Sequence, residues 1–482
     1  MDQREQVTRL GTASIPMLML EFAIPSIIGL VVNGLYNIVD AAFLGWGVGT
    51  IGLATTTVAM PIMFFGMAIS SLIGVGGNAL TALKLGEGHF DQAEKVVGNT
   101  FTLTVIAAII LTALVLLFID PILRFCGATA ETMAPSRTFV SIIAIGSLFQ
   151  FFSMGFNNII RTAGKPMFAL LTMVLGLVIG AALNWLFVMM LGWGVAGSAW
   201  ATVIGQAASA AWMFWYFAFS KNVPFRLRLQ NMPPDWPLMR NILALGSASF
   251  VLQLANSGIM LLVNHQIASL GAIHAIGSEG ALAVLGTVGR VASFSFFPVL
   301  GVAIAAQPVF GFNYGATHYD RVKAAFKVAI IWSMVIGVIF FAIIHIFPTQ
   351  IMGIFNVEGQ YMDFAVLALK VQLFCIPLMG VQVISGNYFQ STGQPLKAMF
   401  LSLTRQVLYL IPLIYLMPVL IVHIIPGAQP LDGVYSAYPV ADVISCLTSV
   451  CFMAFEIRRL NRKIREQQGA PPAAPPTAPI AA

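Results

Sequence analysis

The chain has 482 residues, of which 59% are hydrophobic and only 9% charged, with a formal net charge of +6. A soluble domain carries roughly 25% charged residues, so there are too few here to build an aqueous surface, and an integral membrane protein is expected. The positive balance then reads as the inner face of a membrane, not as a nucleic-acid surface.

The apolar residues fall in long blocks. A hydrocarbon core about 30 Å thick takes roughly 20 residues of helix. The blocks predict crossings over residues 15–44, 51–80, 94–118, 134–162, 167–190, 195–220, 237–269, 279–311, 322–347, 361–390, 397–421 and 433–457. Continuous runs point to helices, because barrel strands would alternate. The first run is too long for a signal segment and has no small-residue cleavage site after it, so it counts as a span. With a cytoplasmic N-terminus, the inner segments hold 19 of the 24 basic residues. Both termini are therefore expected in the cytoplasm, in a multi-pass inner (plasma) membrane protein.

In chain order, residues 1–14 form a cytoplasmic N-terminus. The first span carries Pro25, Tyr36, Asn37 and Asp40. Charge inside hydrocarbon is costly, so Asp40 is a functional candidate by default. An aspartate there can take up and release a proton as its surroundings change from dry to wet. The competing reading is a structural hydrogen bond to Tyr36 or a neighbouring helix. Pro25 removes one backbone hydrogen bond and permits a bend. Asn158, Asn184, Thr202 and Gln206 add polar groups to a first half that runs over 15–220. The segment 221–236 reads as a cytoplasmic linker. The second half, 237–457, supplies Gln253, Asn256, Gln307, Asn387, Arg405 and Asp442 as cavity candidates. Phe151, Phe152, Met154 and Met260 are candidates for an adaptable apolar lining. A basic, then Ala/Pro-rich tail covers 458–482 and is expected to be disordered beyond Ala470.

The halves are related. Gly86, His89 and Asp91 recur as Gly315, His318 and Asp320, and Asn158, Gly164, Pro166 and Ala169 recur as Asn387, Gly393, Pro395 and Ala398, all at a constant +229. Six spans per half preserve orientation, so these are parallel repeats with a cavity between them. The expected fold class is an all-α integral membrane protein of about twelve transmembrane helices in two six-helix bundles.

No enzyme is expected. Gly164-Lys165 is followed by Pro166 and is no phosphate loop, and no zinc-protease motif or nucleophile elbow is present. The four cysteines form no metal spacing and read as small packing residues. No nucleotide, nucleic acid, metal or cofactor is expected, and the partners are small organic solutes and the bilayer, with the chain a monomer.

The sequence resembles the multidrug and toxic compound extrusion (MATE) transporters over nearly its whole length. The carrying segments are Tyr36-Asn-Ile-Val-Asp-Ala-Ala-Phe-Leu-Gly45, Gly192-Trp-Gly-Val-Ala-Gly-Ser-Ala-Trp-Ala-Thr202, Ala306-Gln-Pro-Val-Phe-Gly-Phe-Asn-Tyr-Gly315, Gln390-Ser-Thr-Gly-Gln-Pro395 and Arg405-Gln-Val-Leu-Tyr-Leu-Ile-Pro412. The resemblance implies a V of two bundles and antiport of organic, often cationic, compounds against protons or sodium. It places cation coupling on Asp40 and the bend of the first helix at Pro25. Many members carry Asn and Asp in the fifth span where Gly180 and Asn184 stand here. A single carboxylate makes a poor sodium cage. The acids that the sodium-coupled branch uses in its seventh and tenth spans are also missing, with Gln253 and Asn256 in the seventh and only Asp363 near the outer end of the tenth. Both departures favour protons. The alternatives are a sodium-coupled exporter and a lipid-linked saccharide flippase of the wider superfamily, which would need a cationic cavity.

Overall fold

The computed structural model describes residues 9–219, 226–274, 276–355 and 359–469. The Ala/Pro-rich tail from residue 470 and part of the linker, 221–225, lie outside the described residues. The first half contains α1 (Ile15–Gly47), α2 (Thr50–Gly86), α3 (Phe90–Leu117), the short α4 (Ile119–Phe125), α5 (Ala130–Ile145), α6 (Ser147–Thr162), α7 (Pro166–Asn184) and α8 (Gly194–Phe219). The second contains α9 (Trp236–Gly271), α10 (Gly277–Gly315), α11 (Tyr319–Ile346), the short α12 (Pro348–Ile354), α13 (Met362–Gln372), α14 (Ile376–Ser391), α15 (Pro395–Leu403), α16 (Ile411–Ile424) and α17 (Pro430–Gly469).

Among the described residues, nine helices are long and apolar enough to cross a membrane, and two bent pairs bring the number to eleven. The predicted spans 134–162 and 361–390 are these pairs. Each is broken, by 51° between α5 and α6 and by 42° between α13 and α14. The breaks fall at Gly146 and at residues 373–375. They are repeat partners, since Cys375 stands 229 residues after Gly146. Gly146 also lets Val203 of α8 press against the backbone there, where an added Cβ would collide with it. The sixth predicted crossing is α8. Its Gly, Ser, Thr and Gln residues make it less apolar, and they serve close packing: an added Cβ on Gly205 would lie 2.6 Å from the Gly176 carbonyl of α7. The final helix runs past the predicted end at 457 to Gly469.

The two halves share one core on the face where the described residues begin and end, the terminal face. There Leu10, Phe22, Phe156 and Phe217 join Phe310, Tyr388, Phe389 and Leu460 in a single buried cluster. Toward the opposite face the cores separate. Leu44, Val58, Phe139 and Val203 pack within the first half, and Ile259, Val288, Phe364 and Tyr435 within the second. A Cβ added at Gly258, Gly286 or Gly289 would meet nothing within 4 Å there. The bundles therefore diverge away from the terminal face, as the arms of a V.

The closed end follows the repeat. Asn78 donates to Gln307, its own +229 partner, at 3.3 Å. Thr162 donates to Asn78 at 2.6 Å, and Gln307 donates to Asn387. Gly86 lies against the Phe312 carbonyl and Gly315 against that of Leu83, a reciprocal pair about the axis between the halves. A side chain at Gly86 would run into backbone, which cannot swing aside. Overpacking costs about 1–3 kcal/mol, and here the cost falls on the state closed at this end. Gly86→Val is expected to lower dye efflux from vesicles about tenfold or more with little change in thermal stability. Wild-type efflux in that variant would show that the contact is not used in transport.

Candidate functional site

Tyr36 and Asp40 lie one turn apart on α1 and so share one face. That face meets α7 and α8. Asp40 Oδ1 accepts from Asn184 Nδ2 of α7 and, at 3.2 Å, from Ser198 Oγ of α8. The Tyr36 hydroxyl stands 3.5 Å from Thr202 Oγ1, one turn further along α8. Asn184 and Ser198 are fully buried. Gly180 makes room for the cluster: a Cβ there would sit 2.9 Å from the Tyr36 oxygen. Its departure from the family pattern thus gives the tyrosine its place.

Asp40 lies seven residues before the end of α1, about 10 Å of helix at 1.5 Å per residue. It is held within the first bundle, on the side where the V opens. Its two hydrogen bonds both come from donors, as an ionised carboxylate requires. Beside it, Asn184 Oδ1 is buried with no partner among the described residues. An orphaned buried acceptor is costly. It is also the group a protonated Asp40 needs, because a carboxylic acid has a proton to donate. Rotation of one amide would serve both charge states.

The remaining predicted residues are distributed elsewhere. Asn37 is on α1, but its side chain lies outside the described residues. Pro25 sits inside α1, which continues through it unbroken as one helix. Asn158 accepts from Arg161 at 2.9 Å, near the terminal end of α6. Gln206 is half-buried one turn beyond Thr202 and apart from the cluster. Gln307 and Asn387 belong to the contact between the halves. Gln253 is half-buried on α9, and Asn256, exposed, accepts from Gln406. Phe151 and Phe152 are buried in packed cores, while Met154 and Met260 are exposed.

Arg405 and Asp442 are not separate cavity groups. They form one ion pair inside the second bundle, with Asp442 2% exposed and Arg405 15%. Arg405 sits on a π-helical segment, Thr404–Leu410, just before Pro412, which has no N–H to continue regular winding.

Two buried charges were not apparent in the sequence. Arg161, one of the bases counted on the inner face, is only 5% exposed, and its Nε has no partner among the described residues. Glu456 is 1% exposed and lies within 3.4 Å of Lys397 and 3.6 Å of Arg459. It also accepts from Gln394 at 3.0 Å and Tyr388 at 3.4 Å. The helical spacing of Ser445, Ser449, Met453, Glu456 and Leu460, all buried, was the signal that could have placed Glu456 inside.

The MatE family model matches residues 25–186 and 248–416. The chain is similar to the multidrug export protein MepA of Staphylococcus haemolyticus, at 22% identity over 94% of this chain and 96% of that protein. Its fold is similar to that of a MATE multidrug resistance transporter solved in an outward-facing conformation, with TM-score 0.87 and 23% identity over 94% of this chain and 98% of the other. It is also similar to a MATE protein solved in a bent conformation, with TM-score 0.85 and 22% identity over 96% and 99% of the two chains.

Proposed function

The chain belongs to the MATE family of transporters, and on that premise we propose that it is a multidrug antiporter. It exports amphipathic, often cationic, organic compounds in exchange for protons. The observation that carries this reading is the lone carboxylate of Asp40, bonded to Asn184 and Ser198 with an unused acceptor beside it. Among the described residues no second carboxylate belongs to that cluster, and hydroxyl and amide groups complete it. A proton satisfies one carboxylate fully, whereas sodium leaves most of its coordination to neutral oxygens.

Alternating access then follows from the two bundles. Their terminal ends are joined through the shared core and its repeat-related contacts, and the opposite ends stand apart. Rocking about the joined end exchanges which face is open. Protonation of Asp40 removes the charge that the donors on α7 and α8 stabilise and loosens α1 from them. Pro25, which already lacks one backbone bond, gives α1 a place to bend. The positive-inside distribution of Lys and Arg favours cytoplasmic termini and export toward the far face.

The direct test is ethidium-type dye transport in vesicles of the purified protein under an imposed pH or sodium gradient. A proton gradient alone is expected to drive dye movement, and sodium alone is expected to leave it at the rate of protein-free vesicles. Drive by sodium alone would replace the proposed ion.

A further inference from the structure

Residues 226–236 of the linker form a strap held on α3. Glu94 of α3 accepts from the Arg226 N–H at 2.9 Å and from Asn231 Nδ2 at 3.3 Å, and it pairs with Arg228 at 3.7 Å. Asn99 donates to the Asn231 carbonyl at 3.4 Å and accepts from the Asp235 N–H at 2.9 Å. Thr102 donates to the Met232 carbonyl at 2.7 Å. Gly98 lets the strap lie directly on the helix, since a Cβ there would overlap the Asn231 carbonyl. Pro233, Pro234 and Pro237 stiffen the stretch that leads into α9.

Between this strap, α3 and the start of α9 lies a groove of about 480 Å³ lined by Lys95, Asn99, Gln230, Asn231, Asp235 and Trp236. Lys95 is exposed and forms no ion pair among the described residues, and the same holds for Arg240, one turn beyond Trp236 on the same face of α9. Asp235 caps α9 by accepting from the Leu238 N–H at 3.2 Å through Oδ1. Trp236 is 75% exposed, on the terminal face where α3 and α9 both begin. Exposed indoles favour the membrane interface, which holds an apolar ring beside a polar tip.

The groove thus offers a cation, amide groups and a carboxylate in a row at interfacial depth. We propose that it binds a phospholipid headgroup with a preference for ethanolamine. The phosphate sits at Lys95, supported by Arg240, and the ammonium at Asp235 among the amides of Asn231 and Gln230. A glycerol headgroup ends in neutral hydroxyls and brings no positive charge to Asp235. Choline has no N–H to offer it. A lipid held there bridges α3 of one bundle and α9 of the other at the end where the bundles join.

The test uses the full chain in nanodiscs of phosphatidylcholine containing a minor fraction of one brominated phospholipid: ethanolamine, glycerol or choline. Bromine quenches nearby tryptophan, and the difference between wild type and Trp236→Phe isolates the signal of Trp236. Brominated phosphatidylethanolamine is expected to quench Trp236 most, with an enrichment of about fivefold, the scale of one basic residue at a lipid surface. Lys95→Gln is expected to remove that enrichment. Asp235→Asn keeps an oxygen to cap α9 but removes the charge, and is expected to move the preference to phosphatidylglycerol. Equal quenching by the three lipids, or a preference unchanged in both variants, would overturn the proposal.

Discussion

Asp40→Asn is expected to bring pH-driven dye efflux down to the rate of protein-free vesicles, a loss of about a hundredfold or more. The asparagine is nearly the same size and can still accept from Ser198 Oγ at the position of Oδ1. Packing of α1 against α7 and α8 is therefore retained, and the protein is expected to fold and to bind dye. What disappears is the group that changes charge. In the proposed mechanism nothing then couples a proton gradient to α1, and dye export loses its driving force. Binding of dye to the purified variant, measured by fluorescence anisotropy, is expected to stay within about threefold of wild type. Wild-type efflux by Asp40→Asn would exclude Asp40 as the coupling residue. Loss of both efflux and binding would show that it is a structural residue.

The Arg405–Asp442 pair is expected to matter in a different way. Removing one partner of a buried ion pair leaves an uncompensated charge and costs about 3–5 kcal/mol. Arg405→Leu is therefore expected to lower the apparent Tm of the purified protein strongly, because Asp442 is 2% exposed and would lose its counter-ion. A pair of apolar residues in the same volume is often neutral or better. The double variant Arg405→Leu/Asp442→Leu should accordingly regain most of the lost stability. If the pair is structural, the double variant also transports at a substantial fraction of the wild-type rate. A double variant as unstable as the single would contradict the ion-pair account. A stable double variant without transport would move Asp442 into the coupling machinery.

Much was legible in the sequence because a bilayer imposes strict rules. The lack of charge, the length of the apolar blocks and the constant +229 offset each follow from solvent and symmetry, and none depends on side-chain placement. Asp40 was equally legible, since an acid in an apolar run has few reasons to be there. Its partners were less so. Tyr36 shares its helix face with Asp40 by periodicity alone, but Ser198 became a partner only because Gly176 and Gly205 bring α7 and α8 together. Asn184 stood out as a departure from the family pattern. Only its position in space made it a hydrogen-bond donor with an unused acceptor.

Hydropathy averages over windows and cannot see what a single side chain faces. For that reason Arg161 counted with the inner-face bases and Glu456 was not singled out, although both are buried. For the same reason Arg405 and Asp442 read as two cavity groups instead of one ion pair. The breaks at Gly146 and residues 373–375 were hidden in apolar blocks of the right length, because a bend changes direction without changing composition. The sequence by itself determined the solvent, the number of repeats and the deep acid of the first span, through constraints that act on composition and spacing. Tertiary structure alone decided which polar groups meet, and it set Gln307 against Asn78, its own repeat partner. Hydrogen bonds between helices depend on approach distances of a few ångströms, and no one-dimensional pattern records those.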